Sequence, residues 1–107
     1  MTDPVSPDDI DAAKAAVLAE VDRRADLLLD VSHRIWDDPE LCFGEHHAHD
    51  LLCDVLEGEG IPVIRHAHGL DTAFSAHVGT TGPTVAVLCE YDALPDIGHA
   101  CGHNIIA

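Results

Sequence analysis

Positive charge is scarce in this chain. Five lysines and arginines face twenty aspartates and glutamates, for a formal charge of −15 over 107 residues. A surface of that sign repels phosphate backbones and anionic lipid, so neither nucleic acid nor a membrane surface is an expected partner. Aromatic side chains are nearly absent, with one Trp, one Tyr and two Phe. A core must therefore rest on Ala, Val, Leu and Ile. No apolar run approaches the roughly 20 residues that a membrane-spanning helix needs. The acidic, polar start lacks the basic-then-apolar layout of a secretion signal. The four cysteines, Cys42, Cys53, Cys89 and Cys101, match no compact disulfide or zinc-finger spacing. Together these absences predict a cytoplasmic protein with reduced thiols.

What is present is a foldable chain. Its residues are 47% hydrophobic, enough for one small domain and too many for disorder. Met1–Val5 reads as a short tail. Ser6-Pro7-Asp8-Asp9 is a helix start, with a capping Ser, Pro at the first helical position and acidic residues at the positive end of the dipole. Apolar residues at Ile10, Ala13, Val17, Val21, Leu28, Val31 and Ile35 predict one long helix from Pro7 to about Trp36, buried along one stripe. A loop over Pro39–Glu45 leads to a second helix, roughly Glu45–Glu57, stopped by Gly58 and Gly60. Three strands are expected next: Ile61–His66, Asp71–Val78 and Thr84–Glu90. The last is nearly all apolar, as a strand buried on both faces would be. The expected order is ααβββ, an α/β fold.

The candidate chemistry lies at the far end, in Glu90-Tyr91-Asp92-Ala93-Leu94-Pro95 and Gly98-His99-Ala100-Cys101-Gly102-His103-Asn104. His and Cys ligate borderline-soft divalent metals, and Asp or Glu can orient such ligands or move protons. On the residues alone, Cys101 is either a ligand or a small buried hydrophobe. Glu90 and Asp92 are either site carboxylates or a solvated pair at a strand end. His46, His47 and His49 read as a solvated surface cluster, and Cys42, Cys53 and Cys89 as packed small residues.

Taken together, these two motifs resemble the metal-dependent amidohydrolase branch of the aminoacylase/carboxypeptidase metallopeptidase family. That branch includes p-aminobenzoyl-glutamate hydrolases and aminoacylase-like dipeptidases. Pro39-Glu40-Leu41-Cys42-Phe43-Gly44-Glu45, Gly69-Leu70-Asp71-Thr72-Ala73-Phe74 and Gly82-Pro83-Thr84-Val85-Ala86 are similar to it in order and spacing. The resemblance implies that residues 1–107 form the N-terminal portion of a three-layer α/β/α catalytic domain with a mixed sheet. It implies Cys101 and His103 as metal ligands, Asp92 as a catalytic residue that orients a ligand, and Zn²⁺, Mn²⁺ or Co²⁺ as cofactor. The implied substrates are small N-acyl amino acids, dipeptides or p-aminobenzoyl-glutamate, and the implied full-length protein is a homodimer. In the family the general-base glutamate and the remaining ligands come later than these 107 residues, so the chain by itself is expected to be inactive. The alternative is a non-enzymatic, small acidic domain that binds at most one metal ion weakly.

Overall fold

The computed structural model describes residues 4–107. The first part of the expected tail, residues 1–3, lies outside the described residues. The elements are α1 (Pro7–Arg23), α2 (Ala25–Asp37), α3 (His46–Gly58), β1 (Val63–Arg65), a 3₁₀ turn (Ala67–Gly69), β2 (Phe74–Ala76) and α4 (His103–Ile106). They fall into two compact units that divide between Asp30 and Val31.

In the first unit, α1 starts as the sequence predicts. Asp9 N–H donates to Ser6 Oγ at 3.1 Å, and the Asp9 carboxylate accepts from Ser6 N–H at 3.3 Å, a capping box. The single long helix expected from Pro7 to Trp36 is instead two. At Arg24 the backbone N–H is shared between the Glu20 and Val21 carbonyls, both at 3.1 Å. That tightened turn interrupts the α-ladder without Pro or Gly. The expected buried stripe also fails over α1, where Ile10, Val17 and Val21 are exposed and no residue is buried. Local terms sustain this helix: the cap, its Pro, and the Glu20 carboxylate paired with Arg23 and Arg24.

The second unit carries the core. Val31 and Ile35 of α2, Ala48, Leu51, Leu52 and Cys53 of α3, and Ala67, Tyr91 and Ala93 are its buried apolar side chains. Helix α3 ends in a Schellman motif: Ile61 N–H reaches Leu56 O at 3.0 Å and Gly60 N–H reaches Glu57 O at 3.0 Å. Gly60 sits at φ 79°, a conformation that any side chain would strain. β1 and β2 then pair antiparallel, with Val63 opposite Ala76, Ile64 opposite Ser75 and Arg65 opposite Phe74. Two short strands are marginal alone. Here Arg65 ties the hairpin to α3 through Asp54 at 2.5 Å and Glu57 at 2.8 Å.

Helices and strands share this unit, consistent with an α/β class, but the expected third strand is not formed among the described residues. Thr84–Glu90 has no regular structure, and Val85, Val87 and Leu88 are 84%, 84% and 88% exposed. A strand buried on both faces needs hydrogen-bonded neighbours and covering layers. This segment has neither, so its apolar character is left facing solvent.

Candidate functional site

The loop after α2 and the motif beyond residue 90 are fastened to each other. Ala93 N–H donates to Glu40 O at 2.7 Å, and Leu41 and Ala93 form a parallel bridge. Leu94 N–H closes a turn onto Gly98 O at 2.9 Å. Gly102, at φ 83°, then turns the chain into α4, whose first residue is His103. Asn104 holds α4 to α2 through Ser32 Oγ at 3.0 Å. The sequence between Asp92 and His103 thus folds back on itself and brings its two ends together.

They meet at hydrogen-bond distance. His103 Nδ1 lies 2.8 Å from Asp92 Oδ1 and 3.1 Å from the Asp92 carbonyl. Both partners are acceptors, so Nδ1 carries the proton and Nε2 presents its lone pair. Glu90 Oε1 is 3.9 Å from that Nε2. Both side chains of the Asp92–His103 pair are about three-quarters buried. Beside Asp92 a cavity of about 230 Å³ is lined by Cys42, Phe43, Glu45, Thr72, Glu90 and Asp92 among others.

The carboxylate–imidazole pair is the arrangement that fixes the tautomer and aim of a metal-ligating histidine. The donor chemistry fits a borderline divalent ion at Nε2, with Glu90 alongside. Cys101 is an exposed free thiol on the intervening loop. The structure therefore joins Asp92, His103 and Glu90, and leaves Cys101 outside that contact. His99 is 3% exposed, and neither of its ring nitrogens has a hydrogen-bond partner.

Other residues depart from their sequence reading. Cys42 and Cys89 are exposed rather than packed, because the segments that carry them are not covered. Cys53 is buried as expected, and that burial pushes its thiol pKa up. His49, expected to be solvated with His46 and His47, is buried in the core instead. Its Nδ1–H donates to Asp50 at 2.8 Å, and its Nε2 stands 3.7 Å from Cys53 Sγ. The Asp50 contact holds that carboxyl below its ordinary pKa. Sequence reasoning also missed a buried chain of contacts next to the cavity. Thr72 Oγ1 donates to Glu45 Oε2 at 2.6 Å, and Tyr91 OH donates to the Thr72 carbonyl. No local spacing marks it, since the partners are 27 and 19 residues apart.

No family model matches the chain. Individual proteins do. It is 39% identical over 109 residues to the Xaa-Arg dipeptidase of Mus musculus, covering 92% of this chain and 25% of that protein. The Xaa-Arg dipeptidase of Homo sapiens is 42% identical over 100 residues, covering 81% and 23%. A p-aminobenzoyl-glutamate hydrolase of Escherichia coli (strain K12) is 34% identical over 94 residues, covering 72% and 20%. The chain thus spans about a quarter or less of the length of these relatives. Over the segment it shares with them, the chain belongs to the amidohydrolase and peptidase family.

Proposed function

We propose that this chain is the N-terminal portion of a metal-dependent catalytic domain that hydrolyses amide bonds in dipeptides, N-acyl amino acids or p-aminobenzoyl-glutamate. The contact that carries the reading is Asp92 Oδ1 to His103 Nδ1 at 2.8 Å. The names of the relatives, a dipeptidase and an aminobenzoyl-glutamate hydrolase, supply the substrate class. His103 Nε2 and the Cys101 thiolate are the ligands this chain contributes. Zn²⁺, Mn²⁺ or Co²⁺ suits that donor pair. A protein of the relatives' length would act on its small substrate as a homodimer.

When bound, the metal supplies Lewis acidity, which lowers the pKa of water and polarises a carbonyl. The protein's own share is orientation. Asp92 keeps the proton on Nδ1 and so leaves Nε2 aimed outward, and the Ala93–Glu40 hydrogen bond fixes the residue next to Asp92. Carboxylates at Glu90, Glu45 and Asp92 line the adjoining cavity. They favour a cation there and disfavour an anionic group unless a metal offsets them.

Metal affinity tests the reading. Titration of the chain with Zn²⁺ and Mn²⁺ is expected to show binding that weakens at least tenfold in Cys101→Ala and in His103→Ala. Asp92→Asn, which leaves the ligands in place, is expected to cost about 10–100-fold, the usual effect of removing the partner of a ligating histidine. Affinities unchanged in both Cys101→Ala and His103→Ala would sink the assignment and leave a small acidic domain without this site.

A further inference from the structure

A second set of donors stands apart from the Asp92–His103 pair. Asp38 follows the last residue of α2, Glu40 lies in the loop, and His47 is in the first turn of α3. One donor atom from each lies within 4.8 Å of the other two, and among the described residues no other trio of His, Cys, Asp and Glu meets that spacing. His47 Nδ1 is 3.1 Å from Asp38 Oδ2. That nitrogen is wholly buried, yet it makes no hydrogen bond. A buried imidazole nitrogen held against a carboxylate without a hydrogen bond is an unsatisfied group that calls for a partner, and an ion is one such partner.

The surroundings suit a cation. Glu40 is positioned without one, because its two oxygens accept from His47 N–H at 2.9 Å and Ala48 N–H at 2.8 Å. Each oxygen keeps a second lone pair for a ligand. The negative end of α2 and its terminal Asp37 face the same step in the chain. The positive end of α3 opposes a cation, and the Glu40 carboxylate seated on it offsets that field.

We propose that Asp38, Glu40 and His47 form a binding site for one divalent transition-metal ion of the Zn²⁺ class, separate from Cys101 and His103, with water completing the coordination. One imidazole with two carboxylates selects such ions over Ca²⁺ and Mg²⁺, which prefer all-oxygen shells. Ligand atoms around Zn²⁺ are about 3.4 Å apart for bonds of about 2.1 Å. Asp38 and His47 already meet that spacing. The remaining closure falls to side chains free to make it, since Asp38 and His47 are 60% and 38% exposed. A bound ion would clip α2 to α3 across the loop whose Glu40 carbonyl holds Ala93, and so stiffen one wall of the Asp92 cavity.

The test uses the whole chain carrying Cys101→Ala and His103→Ala, which removes the other proposed ligands. Zn²⁺ is added while the imidazole nitrogens are followed by long-range ¹H–¹⁵N spectroscopy. One equivalent is expected to move a ring nitrogen of His47 and none of His46. Ca²⁺ or Mg²⁺ at the same concentration should leave both unmoved. Adding Asp38→Asn, an exposed position outside the helices, should weaken Zn²⁺ binding at least tenfold with the helical circular dichroism unchanged. A stationary His47 signal, a response shared with His46, or undiminished affinity in Asp38→Asn would each overturn the proposal. The Cys101 and His103 assignment is read separately, on single variants in the wild-type background, so either can fail alone.

Discussion

Tyr91 shows how much of the candidate site depends on single buried groups. Its hydroxyl donates to the Thr72 carbonyl, and its ring stacks on Phe74 with centroids 6.1 Å apart. Burial, and then the nearby Glu45 carboxylate, push its pKa up to about 12. The sign of the consequence is fixed by linkage. Between about pH 10 and pH 12 the unfolded chain releases the tyrosine proton and the folded chain keeps it. The stability contributed is therefore complete below pH 10 and is lost as pH rises through 12. Urea midpoints measured across that window should fall steeply in the wild type and less steeply in Tyr91→Phe. A residual slope is expected from Cys53, whose thiol is also pushed up by burial. Profiles of equal steepness would show that Tyr91 is not coupled to folding. Tyr91 and Asp92 are legible in the sequence because they sit in one contiguous motif, whereas Thr72 and Glu45 are brought to them only by the fold. His49 is half legible. It shares a helix face with Leu52 and Cys53, three and four positions on, but its two neighbouring histidines make the cluster read as solvated.

At the scale of elements, helix ends are more legible than sheet. The Ser6 box and the Gly60 stop follow from local chemistry, since cap and partner lie within a few residues. The start of α3 is different. Glu45 occupies the cap position and makes no capping bond with its side chain, and Glu40, from the preceding loop, takes the role with both oxygens. A charged acceptor at a helix N-terminus satisfies otherwise unpaired N–H groups and gains from the dipole. Glu40→Ala is expected to destabilise the chain by about 1–2 kcal/mol, read as a lower urea midpoint with unchanged slope. Glu40→Gln, which keeps an acceptor, should cost less. A Glu40→Ala midpoint equal to wild type would show that the cap contributes nothing. Strands are less legible because their stability is supplied by neighbours rather than by their own residues. Ile61–His66 and Asp71–Val78 pair with each other over only three residues apiece. Thr84–Glu90 has the right composition and no partner.

That unpaired segment sets the behaviour of the chain as a whole. Val85, Val87 and Leu88 lie almost fully in solvent, and a β-branched apolar run with unpaired backbone is a template for pairing with another chain. Against this stands the formal charge of −15, which makes each copy repel the next. The two effects respond oppositely to salt. Repulsion between exposed charges is screened within about 10 Å at 0.1 M and about 3 Å at 1 M salt, while apolar association is not weakened. Copies of the chain are therefore expected to stay apart at low ionic strength and to associate as NaCl is raised, followed by sedimentation velocity. Placing a charge in the segment with Val87→Lys should suppress the salt-induced association. Because it also lowers the net negative charge, a purely electrostatic account expects the opposite, more association at every salt concentration. Glu59→Gln, which removes one negative charge on the exposed C-cap of α3, is the matched control and should associate slightly more readily than wild type. If Val87→Lys associates as readily as that control, the exposed segment is not the contact.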